Sequence, residues 1–437
     1  MSPEFALTVL LLGFVLLFSI GVPLAISLLF ASVAVIALDP GLELLVVPLK
    51  IYAGINNFLL LAIPGFLFAA LMMNKIGVTE DIVKLSDLLV GRIKGGLAHI
   101  NVVSSMLMGG VSGSSTADVA GIGAILIPAM NKKGYSRGFS AALTAASSSI
   151  GSIIPPSILM VIYGASAKVS IGALFIAGYV PGILVGLQQL VIAWFYARKY
   201  NIDAGKVEPV PGREKLVILA RGLVPVSVIV VIIGGILAGL MTATESAAVA
   251  SVYVVIVGLL VYRNVNFTLL MEVASETALL TSVVMLCVGT ATLFGWLMSF
   301  YGILDVAGGL FETYANNPVT FLFFATLLFL LLGTFMDPAP AMLIFVPVLA
   351  SIAAQIGADP LQLGVLIIMA LAIGKITPPY GISLLLACTI AEIPLSKGLG
   401  WTLVFFTVFC TLLLAIILMP SITLWLPELI APELLGR

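Results

Sequence analysis

Two proline pairs interrupt apolar stretches of this sequence, and each raises the question of what replaces the lost hydrogen bonds. The first lies in "GSIIPPS" (151–157) and the second in "GKITPPY" (374–380). Because proline has no backbone N–H, each pair should free carbonyl oxygens in the turn before it. An unpaired carbonyl in hydrocarbon is costly, and a hard cation such as sodium is a suitable partner. The carbonyls expected to be free are those of Gly151, Ser152, Gly374 and Lys375.

Two glycine-rich stretches supply further oxygen ligands. In "GGVSGSSTAD" (109–118), glycines that permit close backbone approach alternate with hydroxyl side chains, namely Ser112, Ser114, Ser115 and Thr116. The stretch "GTFMDPAPA" (333–341) carries one carboxylate, Asp337. An acid in an apolar setting is a functional candidate, so we expect Asp337 to bind an ion or a ligand, with a helix N-cap beside Pro338 as the alternative. Asp118 could bind an ion, cap a helix or pair locally.

The composition identifies the elements that must position these residues. Of 437 residues, 61% are hydrophobic and 9% are charged, and the mean hydropathy is +1.25. A soluble protein carries roughly 25% charged residues. The apolar runs match the ~20 residues that a membrane-spanning helix needs, and the alternation of a barrel strand is absent. We therefore predict an all-α polytopic membrane protein that contacts the lipid bilayer and no nucleic acid.

The chain contains an internal repeat with an offset of 223 residues. A polar linker (198–215) separates the two halves, and the second proline pair stands at this offset from the first. Since six identities at one offset are hard to explain otherwise, we expect a duplication. The matched pairs are Gly110/Gly333, Gly134/Gly357, Gly151/Gly374, Ile153/Ile376, Pro155/Pro378 and Pro156/Pro379.

Each half is predicted to contain three spans, an interrupted segment, a proline-broken span and a closing span. In the first half these lie near 5–20, 22–38, 50–74, 97–130, 138–168 and 172–197. In the second half they lie near 216–238, 241–262, 267–300, 318–355, 361–392 and 399–425.

Basic residues predict how these segments face. Those on both sides of the first interrupted segment place both of its ends in the cytoplasm, so it should be a re-entrant hairpin: Arg92, Lys94, Lys132, Lys133 and Arg137. The second interrupted segment has no flanking Lys or Arg, which predicts a hairpin from the opposite side. Each half then has five spans, so the second half is inverted. The prediction is ten spans, two opposed hairpins and both termini outside, an arrangement typical of secondary transporters.

These motifs resemble the large membrane subunit of the tripartite ATP-independent periplasmic (TRAP) transporters, within the ion-transporter superfamily. The resemblance covers nearly the whole chain. It rests on "GGVSGSSTADVAGIGAILIPAM" (109–130), "GSIIPPS" (151–157), "MTATESAAVASVY" (241–253), "GTFMDPAPAMLIFVPVL" (333–349) and "GKITPPYGI" (374–382).

The resemblance implies a sodium-coupled importer of organic anions in the bacterial inner membrane, with substrates such as sialic acid or C4-dicarboxylates. It implies a small four-helix membrane subunit (Q type), expected as a separate chain, and a soluble periplasmic substrate-binding protein (P type). It also implies an elevator mechanism, in which a transport domain moves against a scaffold. The implied division is scaffold 1–96, transport domain 97–171, closing span 172–197, cytoplasmic linker 198–215, scaffold 216–317, transport domain 318–398, and closing span with C-terminus 399–437.

By the same resemblance, two or more sodium ions lie between the hairpin tips and the breaks. The implied ligands are Gly110, Ser112, Gly113, Ser115, Gly151, Ser152 and Pro155 in the first half, and Gly333, Thr334, Asp337, Gly374, Thr377 and Pro378 in the second. The anion would lie between them, bound by Ser112, Ser114, Asp337 and Lys375. Lys375 departs from the family's expected pattern. It could bind the substrate carboxylate, replace a sodium ion, or turn outward to the membrane surface.

Other interpretations are a symporter of the same superfamily that needs no binding protein, an ion channel, and an intramembrane protease. The protease would use the serine of "GVSG" (110–113) with the sole histidine, His99, as its base. We expect no catalytic residues, because His99 is predicted at the mouth of the hairpin and Ser112 at its tip. Glu272 and Glu276 are interpreted as groups that pair between helices.

Overall fold

The protein is described here by a computed structural model, which places residues 2–202, 211–302, 317–379 and 381–435. Residues 203–210 of the predicted linker lie outside this range. The helices of the first half are α1 Pro3–Ser19, α2 Leu24–Leu38, α3 Val46–Ile55, α4 Ala62–Ile76, α5 Val78–Val90, α6 Gly96–Ser112, α7 Ser115–Asp118, α8 Ala124–Lys132, α9 Arg137–Ser148, α10 Ile158–Ala167 and α11 Ile171–Lys199. Those of the second half are α12 Gly212–Leu237, α13 Ala243–Val257, α14 Phe267–Phe300, α15 Pro318–Gly333, α16 Pro338–Ile356, α17 Pro360–Gly374, α18 Ile382–Ile390, α19 Leu395–Leu418 and α20 Ser421–Ile430.

The prediction of an all-helical membrane protein is confirmed, because the described residues form helices and no strand. Within this described part, seven helical segments are long and apolar enough to cross a bilayer. The other predicted spans are shorter apolar helices or helices broken in the middle. The seven are Phe58–Ile76, Ile171–Lys199, Gly212–Leu237, Ala243–Tyr262, Phe267–Phe300, Pro338–Ile356 and Leu395–Leu418.

The first interrupted segment is a helical hairpin. Helix α6 ends at Ser112, Gly113 turns the chain with a positive φ of 57°, and α7, a π-helical turn and α8 return along α6. Gly95 before the hairpin and Tyr135 after it both contact the last turns of α11, Gly95 at Ala197 and Tyr135 by stacking on Tyr196. Both ends of this hairpin therefore lie at the same end of the molecule.

The second interrupted segment is also a hairpin, formed by α15 and α16 around the turn 334–337. The predicted broken spans are broken as well. Helix α9 continues as a 3₁₀ turn to Ser152 before the chain extends to α10, and α17 ends at Gly374 before α18. The Pro155–Pro156 and Pro378–Pro379 peptide bonds are both cis.

Glycine contacts seat each hairpin tip against a break. A Cβ added to Gly109 would lie 3.1 Å from the Cα of Gly151, and one added to Gly374 would lie 2.5 Å from the carbonyl carbon of Gly333. Only residues without side chains permit this approach of two backbones. In both halves, therefore, the backbone of a hairpin tip packs on the backbone of a break, although the tip glycine that makes the contact differs by one position between the repeats.

Two features of the first half differ from the sequence prediction. The single span predicted near 50–74 is wrong, because the chain breaks at Asn56 and Asn57, and the Asn57 side chain caps the next turn by accepting from the N–H of Leu59 at 3.0 Å. Helix α5 was not predicted. It is amphipathic, and its buried Asp81 accepts a hydrogen bond from the Tyr262 hydroxyl at 2.9 Å.

An aromatic cluster joins helices at the end where the first hairpin begins and ends. The rings of Phe139 on α9 and Tyr196 on α11 stack with centroids 3.5 Å apart, and Trp401 on α19 meets Phe139 edge-on at 5.2 Å. The Tyr196 hydroxyl also accepts from the N–H of Ser136 at 3.1 Å. Helices α9, α11 and α19 are thereby tied to the first hairpin.

The contact between Gly333 and Gly374 predicts a stability effect. Gly374→Ala should lower the free energy of unfolding by about 1–3 kcal/mol, because its methyl group would overlap the backbone of Gly333. Gly400→Ala is the matched control, since a Cβ there meets no atom within 4 Å and alanine favours the helix. Thermal midpoints of the purified proteins compare the two, and equal midpoints would contradict the packing described.

Candidate functional site

The tip of the first hairpin lies against the first proline pair. A side chain on Gly113 would come within 2.9 Å of the Pro156 carbonyl oxygen, and one on Gly110 within 3.3 Å of the Pro155 carbonyl oxygen. Ser115 and Ser152 join the two elements through their hydroxyl groups, which are 2.8 Å apart and buried. The residues predicted as a first sodium site are thus brought together.

The first break is better satisfied within the protein than the sequence predicts. The Ser152 carbonyl, expected to be free, accepts a hydrogen bond from the Ser157 hydroxyl at 2.7 Å. The Ile150 carbonyl accepts from the N–H groups of Ile153 and Ile154 at 2.9 and 2.8 Å. A carbonyl oxygen has two lone pairs, so these bonds leave one on Ser152 for a cation.

The second break shows the same correction with different donors. The Gly374 carbonyl accepts from the N–H of Thr377 at 3.0 Å, and the Lys375 carbonyl accepts from the N–H of Ser383 at 3.1 Å. The expectation that these two carbonyls are free is therefore wrong, because Thr377, just before the prolines, closes a tight turn onto one carbonyl and Ser383, beyond the prolines, turns back to the other. The hydroxyl of Thr377 donates to the Ile373 carbonyl at 3.0 Å, and that of Thr334 to the Leu331 carbonyl at 2.7 Å.

Asp337 caps a helix and also faces a cavity. Its Oδ1 accepts from the N–H of Ala339 at 3.2 Å, which makes it the N-cap of α16. The side chain is exposed on its other side and lines a cavity with a volume of about 520 Å³. The N-cap interpretation is thus confirmed, and it leaves the carboxylate accessible to a ligand.

This cavity contains all four residues predicted to bind the anion: Ser112, Ser114, Asp337 and Lys375. Both hairpins and both breaks contribute to its wall, and α4 and α14 form the opposite side. Within the described residues, the Lys375 ammonium has no carboxylate within 4 Å. A half-buried ammonium without a carboxylate partner between apolar helices is a candidate for anion binding.

Two polar residues of the cavity were not predicted from the sequence to bind a ligand, Asn74 on α4 and Glu276 on α14. Glu276 was interpreted only as a pairing group, and it does lie 3.9 Å from Lys75, whose stronger bond is to Glu272 at 2.6 Å. An ionisable residue inside an apolar helix was the available signal for a site. Asp118 is buried beside Ser105 and does not line the cavity.

The donor set of the site suits hard cations and anions. The described residues contain no group of three or more His, Cys, Asp and Glu side chains that could hold a metal ion. Hydroxyl and carbonyl oxygens dominate the tips and breaks, and unwound backbone of this kind coordinates sodium in transporters. His99 lies on the same helix as Ser112, thirteen residues away or about 20 Å, so it cannot serve as a base for that serine.

Paired hairpins and broken helices that converge on a cavity within a helical membrane chain are the architecture of a secondary transporter. The family model described as "Tripartite ATP-independent periplasmic transporter, DctM component" matches residues 11–422. The chain belongs to this family and is a multi-pass protein of the bacterial inner membrane.

Curated relatives agree with this assignment, and a solved structure shares the fold. The chain is 36% identical to the sialic acid TRAP transporter large permease protein SiaM of Vibrio cholerae, over 94% of this chain and 95% of that protein. It is 35% identical to the C4-dicarboxylate TRAP transporter large permease protein DctM of Pseudomonas aeruginosa, over 87% and 88%. The YdaH transporter of Alcanivorax borkumensis shares the fold, with a TM-score of 0.57, 14% identity, and coverage of 82% of this chain and 86% of that one.

The hydroxyl pair between tip and break predicts non-additive substitutions. Ser115→Ala and Ser152→Ala should each lower the free energy of unfolding by about 0.5–1.5 kcal/mol, because each removes the same buried hydrogen bond. The double variant should lose little more than either single one. Ser351→Ala is the control, since that exposed hydroxyl bonds only within its own helix. Thermal unfolding in potassium chloride measures all four, and strict additivity would refute the pairing.

Proposed function

We propose that this chain is the large permease of a sodium-coupled importer for an organic anion, a carboxylate such as sialic acid or a C4-dicarboxylate. The observation that carries the proposal is the cavity in which both tips and both breaks meet around the unpaired ammonium of Lys375. The named relatives support the substrate class, because they are permeases for sialic acid and for C4-dicarboxylates.

Sodium coupling is supported by the chemistry of the tips and breaks. Ser115, Ser152 and the carbonyls beside Pro155 offer oxygen ligands at the first break. Thr334, Asp337, Thr377 and the carbonyls beside Pro378 offer an equivalent set at the second. We place two or more sodium ions there and the substrate between them, on Ser112, Ser114, Asp337 and Lys375.

The elevator mechanism is supported by unequal packing. The hairpins meet their breaks through backbone contact, whereas cavities of about 470 and 520 Å³ lie where α14 faces them. Close packing makes an interface rigid, so the interface with cavities is the one suited to movement. We assign the moving unit to the hairpins and broken helices, with α11 and α19 attached through the aromatic cluster. The scaffold is formed by the remaining spans.

The energetics of this cycle depend on substrate charge. A charge that crosses the membrane is worth about 2.3 kcal/mol per 100 mV. Two sodium ions with a monoanion carry one net positive charge inward, so the membrane potential favours accumulation. With a dianion the same transfer is electroneutral, and the sodium gradient alone drives uptake.

We propose the partners that the family description implies. A soluble periplasmic binding protein of the P type delivers the substrate, and a small four-helix subunit of the Q type joins the scaffold in the membrane. Uptake by proteoliposomes tests this: transport should require the binding protein. Uptake without any soluble protein would instead indicate a symporter that works alone.

Sodium binding can be tested without knowledge of the substrate. The thermal midpoint of the purified permease should rise, with saturation, as sodium replaces potassium at constant ionic strength. A ligand at 100 times its dissociation constant stabilises a protein by about 2.7 kcal/mol, which is readily measured. The rise should be lost when the Pro155–Pro156 pair is replaced and weakened in Asp337→Ala.

The matched control for Asp337→Ala is Asp359→Ala, which removes the N-cap of α17 outside the cavity. Both variants lose a helix N-cap, so the comparison is between their sodium responses, and only that of Asp337→Ala should be weakened. Equal midpoints of the native protein in the two salts would refute sodium binding at the breaks.

A further inference from the structure

The cavity has a charged wall and a hydroxyl wall, and the repeat explains why. At the offset of 223 residues, Asp337 stands at the position of Ser114, and Lys375 at the position of Ser152. The second half therefore contributes a carboxylate and an ammonium where the first half contributes two hydroxyls. All four side chains line the same cavity.

Acidic groups outnumber basic ones in the described lining of this cavity. Lys375 is its only basic residue, and Asp337 and Glu276 are its acids. Lys75 does not neutralise Glu276 fully, because its ammonium lies 2.6 Å from Glu272 and 3.9 Å from Glu276. Glu272 itself does not line the cavity.

The charges in the cavity are balanced by one substrate carboxylate. With the minimum of two sodium ions that the proposed function places at the breaks, these ions and Lys375 supply three positive charges against two resident carboxylates, so a single further carboxylate leaves the loaded cavity neutral. A second carboxylate would face Asp337 or Glu276 with no cation to compensate its charge, and like charges at short range repel each other. The resident carboxylates of Asp337 and Glu276 can only accept hydrogen bonds, so they favour a substrate that carries hydrogen-bond donors. The serine hydroxyls and the Asn74 amide both donate and accept, so they can also bind such donors.

We propose that the substrate is a monocarboxylate whose other polar groups are hydroxyl or ammonium donors, and that dicarboxylates are rejected. Lys375 binds the carboxylate, and Asp337 and Glu276 face the donors. This inference rests on the proposed function, which it narrows from organic anions to one charge class. Discrimination arises from the resident acids, which repel the wrong ligand as well as attract the right one.

Three probes with four-carbon chains test whether monocarboxylates bind and dicarboxylates are rejected: 4-hydroxybutyrate, 4-aminobutyrate and succinate. In sodium chloride, either monocarboxylate should raise the thermal midpoint of the purified permease at a concentration at least tenfold below that which succinate needs, a difference of about 1.4 kcal/mol. Succinate binding as tightly as the monocarboxylates would overturn the proposal. Protection by neither monocarboxylate at millimolar concentrations would also overturn it.

Charge variants identify the groups responsible. Glu276→Gln should raise the apparent affinity for succinate at least tenfold relative to that for 4-hydroxybutyrate. Glu392→Gln is the matched control, because it also removes one carboxylate from an ion pair, that with Arg137, but lies outside the cavity, so the ratio of the two affinities should stay unchanged. Lys375→Gln should lose protection by all three compounds. An unchanged ratio in Glu276→Gln, or full protection in Lys375→Gln, would refute the assignment.

The rise of the thermal midpoint with sodium, measured without any organic acid, distinguishes a failure of sodium coupling from a failure of the preference for monocarboxylates. If sodium stabilises the native protein and Lys375→Gln alike while succinate binds best, the preference for monocarboxylates is refuted and sodium coupling is not. If sodium gives no stabilisation in either protein, the coupling model fails, whatever the acids do.

Discussion

A helix broken between apolar neighbours must find partners for the backbone groups that the break exposes, and the site of this protein depends on how that requirement is met. Each hairpin presents a glycine to the glycine that precedes a proline pair, Gly109 to Gly151 and Gly333 to Gly374. Backbone then packs on backbone, so the breaks are covered by protein instead of lipid. The polar atoms that remain, on both hairpins and both breaks, converge on one cavity.

The same contacts distinguish closely packed from loosely packed parts of the fold. Tip, break and aromatic cluster form a continuous unit, in which Phe139 and Tyr196 stack at 3.5 Å and a serine pair bridges hairpin and break at 2.8 Å. Helix α14 meets that unit across two cavities, and this looser packing is what supports the proposed movement at that interface. In the proposed mechanism, a ligand that fills the cavity of about 520 Å³ changes the packing at this interface and thereby couples binding to movement.

Sequence reasoning recovered the features that local chemistry determines. Proline pairs and glycine-rich turns mark breaks and tips by their own backbone limits, so the hairpins and four cavity residues could be predicted. It missed what depends on distant partners: the contribution of Glu276, the packing of Asp81 against Tyr262, and the return of the Ser383 N–H to a carbonyl before the prolines. No spacing in the sequence reports that a donor eight residues away will turn back.

That return of backbone explains how one half of a duplicated frame could acquire charge. In the first half side chains satisfy the break, since the Ser157 hydroxyl donates to the Ser152 carbonyl and the Ser152 hydroxyl pairs with Ser115. In the second half a backbone N–H satisfies the equivalent carbonyl, that of Lys375. The position equivalent to Ser115 is Pro338, which has no hydroxyl to pair with, so the side chain at position 375 can carry an ammonium group into the cavity without loss of a structural hydrogen bond.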